Sequence, residues 1–223
     1  MIIRRGFFCK GWKLSLSEKI KNIILPSIYE NHQDTLKECD NEINNIEKLL
    51  NDFISLDFNR LSCNSKELLV EAQLDILVAL HNGLSGFYRQ AFNSLRSSLE
   101  LAMFSIYFKN REYEYFLWEK SSQKGEDARW GNTFQELSKK ILLEYNDIVI
   151  DYNDYKKELE KINKLYGQLS NYTHGKPNYL QVRNLQVNEF NKAKFLEFLA
   201  KYKEVIESII YFCNIFFEGE LYE

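Results

Sequence analysis

Two groups of polar residues have types and spacing suited to chemistry. Arg89, Asn93, Arg96 and Glu100 recur at i, i+4, i+7 and i+11. On a helix turning 100° per residue they form one narrow polar stripe. From Gln90 to Phe108 there is no Lys and no Asp, so the two arginines stand on a helix with few solvating charges. A guanidinium recognises phosphate or carboxylate through a bidentate fork. Arg89 and Arg96 are therefore candidate anion ligands, with Glu100 one turn beyond Arg96. The structural alternative is that Arg96 pairs with Glu100, or that the stripe stitches two helices together. An exposed pair of that kind contributes only ~0.3–0.5 kcal/mol.

The second group is Leu169-Ser170-Asn171-Tyr172-Thr173-His174-Gly175. Asn163, Gly167, Ser170 and His174 run along one edge of an apolar helical seam. Imidazole is the side chain best matched to proton transfer near neutral pH, which makes His174 the candidate acid–base group. Ser170 stands one turn before it. No third member and no oxyanion hole accompany that pair, so a serine hydrolase is not expected. Read structurally, His174 caps a helix end. Gly167 inside a helix costs roughly 1 kcal/mol against Ala, a cost that close packing or ligand access would explain.

Other chemistries lack their residues. The three histidines are scattered, and the four cysteines at 9, 39, 63 and 213 include no C-x-x-C pair. Neither a metal site nor a disulfide framework is expected, and scattered thiols suit a cytoplasmic protein. Gly-rich phosphate loops are absent, so no cofactor is expected. The net charge of −3 is unevenly spread: residues 1–25 carry +5, leaving −8 for the remainder. A basic flank of that kind either touches phosphate or lipid, or docks on its own acidic body, and the latter is the expectation. Arg4-Arg5-Gly6-Phe7-Phe8 is similar to the start of a twin-arginine export signal, but Lys10, Lys13, Glu18, Lys19 and Lys21 interrupt the apolar stretch such a signal needs. No stretch reaches the ~20 apolar residues of a membrane span, so no membrane partner is expected.

The elements that must position these residues are helices. The chain has 223 residues, 45% hydrophobic and 27% charged, with nine Gly and two Pro. That length fits one domain, and the shortage of turn residues points to an all-α antiparallel bundle of about five to seven helices. Residues 1–33 form a basic N-terminal arm, with an extended piece over Ile2–Leu14 and a short helix ending before Pro26. Residues 34–223 form the bundle. Asp34 or Thr35 caps a first long helix with Leu36, Cys39, Ile43, Ile46, Leu50 and Phe53 on its seam. Asn64 with Glu67 opens a second helix through Asn82, closed by Gly83 and Gly86. A third runs from Phe87 to Phe108 and on through Trp118. It is expected to be central, with Ser94, Ser97, Ser98 and Ser105 forming a face for close helix approach. After a polar loop over Gln123–Gly131, a Thr133–Glu136 capping box starts a helix to Tyr145. Asn153 or Asp154 caps the next, with seam residues Tyr155, Leu159, Ile162, Tyr166 and Leu169, and Gly175 and Pro177 end it. Tyr179–Val187 alternates loosely, and the last helix covers Asn191–Phe217.

Taken together, Leu95-Arg96-Ser97-Ser98-Leu99-Glu100 and Leu169-Ser170-x-x-x-His174-Gly175 resemble elements of the HEPN superfamily and of some bacterial abortive-infection proteins. The resemblance covers residues 66–177. It implies a helical bundle that forms a homodimer, and, in many members, a metal-independent ribonuclease acting in antiphage defence or a toxin–antitoxin pair. Active members carry Arg and His on one helix, separated by four to six residues. This chain has no such pair, so the resemblance implies at most a composite site, with Arg96 or Arg89 facing His174 across two helices. His174 would then move the proton of an RNA 2′-hydroxyl, and the arginine would stabilise the phosphorane charge. The alternative is a catalytically silent module that dimerises or binds a protein partner.

Overall fold

The computed structural model describes residues 15–120, 129–174, 189–218 and 220–221. The regular elements among them are helices: α1 (Leu16–Lys19), a π-helical turn (Ile20–Ile24), α2 (Leu25–Ile54), α3 (Cys63–Leu84), α4 (Tyr88–Phe108), α5 (Glu112–Lys120), α6 (Trp130–Leu137), α7 (Lys140–Tyr145), α8 (Tyr152–Thr173) and α9 (Lys192–Phe216). The expected extended pieces and the Gly175–Pro177 stop lie outside the described residues.

α4 is the central helix, as its shortage of charge predicts. Leu95, Leu99, Ala102, Met103 and Ile106 are buried along it, and it packs against α3, α8 and α9. Its small residues do bring a neighbour close. Ser98 Oγ donates to the Ala72 carbonyl at 2.8 Å, and Ser65 Oγ of α3 donates to the Ser105 carbonyl at 2.9 Å. The rest of the core mixes aliphatic residues such as Leu69, Ile76, Ile162 and Ile206 with the rings of Phe92, Phe195, Phe198, Tyr202 and Phe212.

Several boundaries differ from expectation. Pro26 does not end the first helix. The π-turn widens the hydrogen-bonding pattern ahead of it, the Leu25 N–H reaching the Ile20 carbonyl, and Pro26 sits in the first turn of α2, where its missing N–H costs little. The helix therefore runs through Asp34 and Thr35, and Leu36 is exposed. Cys39 (φ −136°, ψ 23°) marks a kink inside α2. Ser62, not Asn64, precedes α3, and Asn64 is buried in its first turn. α4 stops at Phe108, and the chain turns at Lys109–Arg111 so that Trp118 of α5 stacks back on Phe108 at 5.5 Å. Thr133 is no cap either: α6 already begins at Trp130, and Thr133 is buried within it. Asp151 caps α8, accepting from the N–H groups of Asn153 and Asp154. At Gly86 the backbone takes φ +78° between α3 and α4. A Cβ there would also lie 2.9 Å from the Glu189 carbonyl oxygen, so glycine is required on both counts.

Candidate functional site: the seam between α4 and α8

The polar stripe of α4 faces α8, and the two helices run antiparallel. At one end, Arg89 Nε donates to the Tyr172 carbonyl at 3.1 Å and Arg89 Nη2 to the Thr173 carbonyl at 3.2 Å. These are the last carbonyls of α8, at the end where a helix runs out of its own N–H donors. Next, Thr173 Oγ1 donates to Asn93 Oδ1 at 2.9 Å. At the other end, Arg96 Nη2 donates to Tyr166 Oη at 2.6 Å, and Tyr166 Oη donates to Glu100 Oε1 at 3.0 Å. Arg96 also pairs with Glu100 Oε2 at 3.3 Å. Its guanidinium carbon lies 4.9 Å from the Tyr166 ring centroid.

Tyr166 is the residue on which this end of the seam turns. Trp130 of α6 stacks on its ring at 4.0 Å, nearly parallel, and is fixed by an Nε1–H bond to Asn163 Oδ1 at 2.8 Å. Burial raises the Tyr166 phenol above its ordinary value and Glu100 adds to that, while the Arg96 hydrogen bond opposes them. The hydroxyl therefore stays protonated and donates to Glu100 at neutral pH. Between the two ends, Arg96 Nε and Ser170 Oγ are buried and have no hydrogen-bond partner among the described residues. Ser170 shares the face of α8 that carries Tyr166 and Thr173, so both atoms belong to the same seam.

The proposed site residues are thus divided. Arg89, Arg96, Glu100 and Ser170 lie on one seam. His174 follows Thr173 as the last-turn residue of α8, exposed, with its N–H donating to the Ser170 carbonyl at 3.1 Å. The side chains of Ser170 and His174 do not bond to each other. Arg96 meets α8 at Tyr166, eight residues or about 12 Å of helix away from His174. The arginine at the His174 end is Arg89. Gly167 is exposed and a Cβ there would meet nothing within 4 Å, so close packing does not explain it.

Sequence reasoning missed Trp130, which was expected in a loop, and treated Tyr166 as a seam residue only. The sequence signal available was the i, i+4 pair Arg96 and Glu100 and the tyrosine in the seam of α8, but not their register. Elsewhere, a shallow groove beside Lys109, Asn146, Tyr211 and Phe216 lies at the opposite end of α4 from Arg89. Among the described residues no three of His, Cys, Asp and Glu gather as metal ligands, and no helix is long and apolar enough to cross a membrane. The chain matches no protein-family model, no curated protein and no solved structure.

Proposed function

We propose that this chain is a helical interaction module in which the α4–α8 stripe is a structural zipper. One observation carries the proposal: both arginines of the stripe are engaged within the fold, Arg89 by the helix-end carbonyls of α8 and Arg96 by Tyr166 of α8 and by Glu100 one turn on along α4. A phosphate would have to displace those partners, including the carboxylate of Glu100, which repels it. One surface open to a partner is the outer face of α3, where Val70, Leu74, Leu77 and Val78 are exposed.

A second reading keeps the HEPN-like ribonuclease, in antiphage defence or a toxin–antitoxin pair. It is favoured by Arg89, which anchors to the two residues preceding His174. There His174 would take the 2′-hydroxyl proton and Arg89 would stabilise the phosphorane.

Incubating the protein with total RNA and tRNA, with and without EDTA, beside the His174→Ala variant separates the two. The module leaves RNA intact in every lane. Cleavage that survives EDTA and disappears in His174→Ala overturns the module and establishes the nuclease.

A further inference from the structure

The arm and the outer face of α3 are complementary. From Ser15 to Glu30 no residue is buried; among the described residues the first buried side chain is Asn31. Along this stretch Leu16, Ile20, Leu25 and Tyr29 are 73%, 39%, 55% and 67% exposed. Their 4–5–4 spacing keeps them on one face, because the π-turn at Ile20–Ile24 accommodates one extra residue. Lys19 and Lys21 flank this row, the carboxylate of Glu18 beside them accepts from the Ser15 N–H and Oγ, and residues 1–25 carry a net +5.

On α3, Val70, Leu74, Leu77 and Val78 recur at i, i+4, i+7 and i+8 and form an exposed ridge. Glu67, Glu71 and Asp75 line one side of it. An apolar row with a basic flank thus meets its counterpart in an apolar row with an acidic flank.

The Leu16–Tyr29 row cannot reach the ridge of its own chain. α2 and α3 are antiparallel: Asn31 Nδ2 donates to the Ser85 carbonyl at 3.1 Å just past the end of α3, while Gln73 Nε2 donates to the Phe53 carbonyl at 2.8 Å. From Ser15 to Glu30 the helix therefore runs beyond the end of α3, for about 20 Å. The ridge lies in the other direction, two to four turns back along α3.

We infer that two copies of this chain exchange arms, each Leu16–Tyr29 row lying on the α3 ridge of the other copy with Lys19 and Lys21 facing Glu67, Glu71 and Asp75. A two-fold axis makes both contacts equivalent and closes the assembly. The inference rests on the interaction-module reading only in taking the α3 ridge as the working surface.

Sedimentation velocity and light scattering of the full chain at about 1–100 μM test it. The wild type sediments as a dimer. Leu74→Glu/Leu77→Glu and Ile20→Glu/Leu25→Glu each raise the dimer dissociation constant about 30-fold or more. All four positions are exposed, so far-UV circular dichroism and Tm report unchanged monomer folds. Mixed together, the two double variants form a heterodimer, because one intact arm still meets one intact ridge. A wild type that stays monomeric at 100 μM, a dimer that survives either variant, or a mixture in which neither recruits the other overturns the exchange. None of these results bears on RNA cleavage, so failure here is distinct from failure of the module reading.

Discussion

Arg89 of α4 closes the end of α8 by donating to the carbonyls of both Tyr172 and Thr173. A cation at a helix C-terminus satisfies orphan carbonyls and opposes the negative end of the helix dipole. Arg89→Ala removes both bonds at a half-buried position. The expected cost is roughly 2 kcal/mol, which for a chain of this size lowers Tm by about 4–8 °C. Urea denaturation with the slope held constant checks it. Arg89→Lys recovers part of the loss, since a lysine supplies the charge without the fork. An unchanged midpoint in Arg89→Ala would show that the clamp contributes nothing to stability and leave the arginine free for another role.

Tyr166 couples Arg96 to Glu100, accepting from one and donating to the other. Tyr166→Phe keeps the stack on Trp130 and deletes only the hydroxyl. The expected cost is about 1–2 kcal/mol, because two part-buried bonds are lost. The three residues act as one network, so Tyr166→Phe and Arg96→Ala combined cost less than the sum of the single changes by about 0.5–1.5 kcal/mol. Strict additivity in the double-mutant cycle would mean that the seam is a set of independent contacts.

The architecture was legible because its signals are local and repeated. The absence of Lys and Asp over Gln90–Phe108 and its serine face announced a central helix, and Ser98 and Ser105 do meet α3. The stripe on α4 followed from its spacing alone. What faces it did not, because the register of α4 against α8 depends on packing across 70 to 84 residues of sequence. Trp130 was unreadable for the same reason, since its stack on Tyr166 and its bond to Asn163 both reach across 33 or more residues of sequence. The misplaced starts share another cause. Asn64, Thr133 and Asn153 all match capping patterns, yet each helix begins a few residues earlier: Asp151 supplies the cap of α8, while α3 and α6 start after Ser62 and Arg129 with no side-chain cap, and Thr133 is buried within α6. The arm was misjudged at Pro26, because a π-turn that absorbs a proline has no signature in hydrophobic spacing.

Gly83 and Gly167 both sit inside helices, and the same substitution at each has opposite expected signs. At Gly83 a Cβ would fall 2.4 Å from Phe198 Cε1 and 2.8 Å from its Cδ1. Phe198 is fully buried, so its ring has little room to move. Gly83→Ala is expected to cost about 1–3 kcal/mol from overpacking, more than the helix-propensity gain returns. At Gly167 nothing lies within 4 Å. Gly167→Ala is expected to stabilise by about 0.5–1 kcal/mol. Thermal and urea denaturation of the two variants give the answer. A destabilised Gly167→Ala would show that the open space beside α8 is filled in solution.

His32 is expected to make the stability of the fold depend on pH. Its Nε2 lies 2.8 Å from Ser85 Oγ, whose hydroxyl donates to the His81 carbonyl at 2.8 Å. The His81 ring centroid is 5.6 Å away. Burial lowers the His32 imidazole below its ordinary value, and the neighbouring His81 lowers it further. The folded state therefore holds fewer protons than the unfolded chain just below the ordinary histidine range. Stability associated with His32 is fully present above about pH 6.5, the unfolded value, and is lost as pH falls through the lower folded value. Tm measured from about pH 7.5 to 5 is expected to fall more steeply in the wild type than in His32→Gln, which keeps a polar group beside Ser85 but cannot titrate. His81→Gln removes the second ring and is expected to flatten the wild-type slope in part. Parallel profiles for wild type and His32→Gln would show that the acid sensitivity lies in the carboxylates instead.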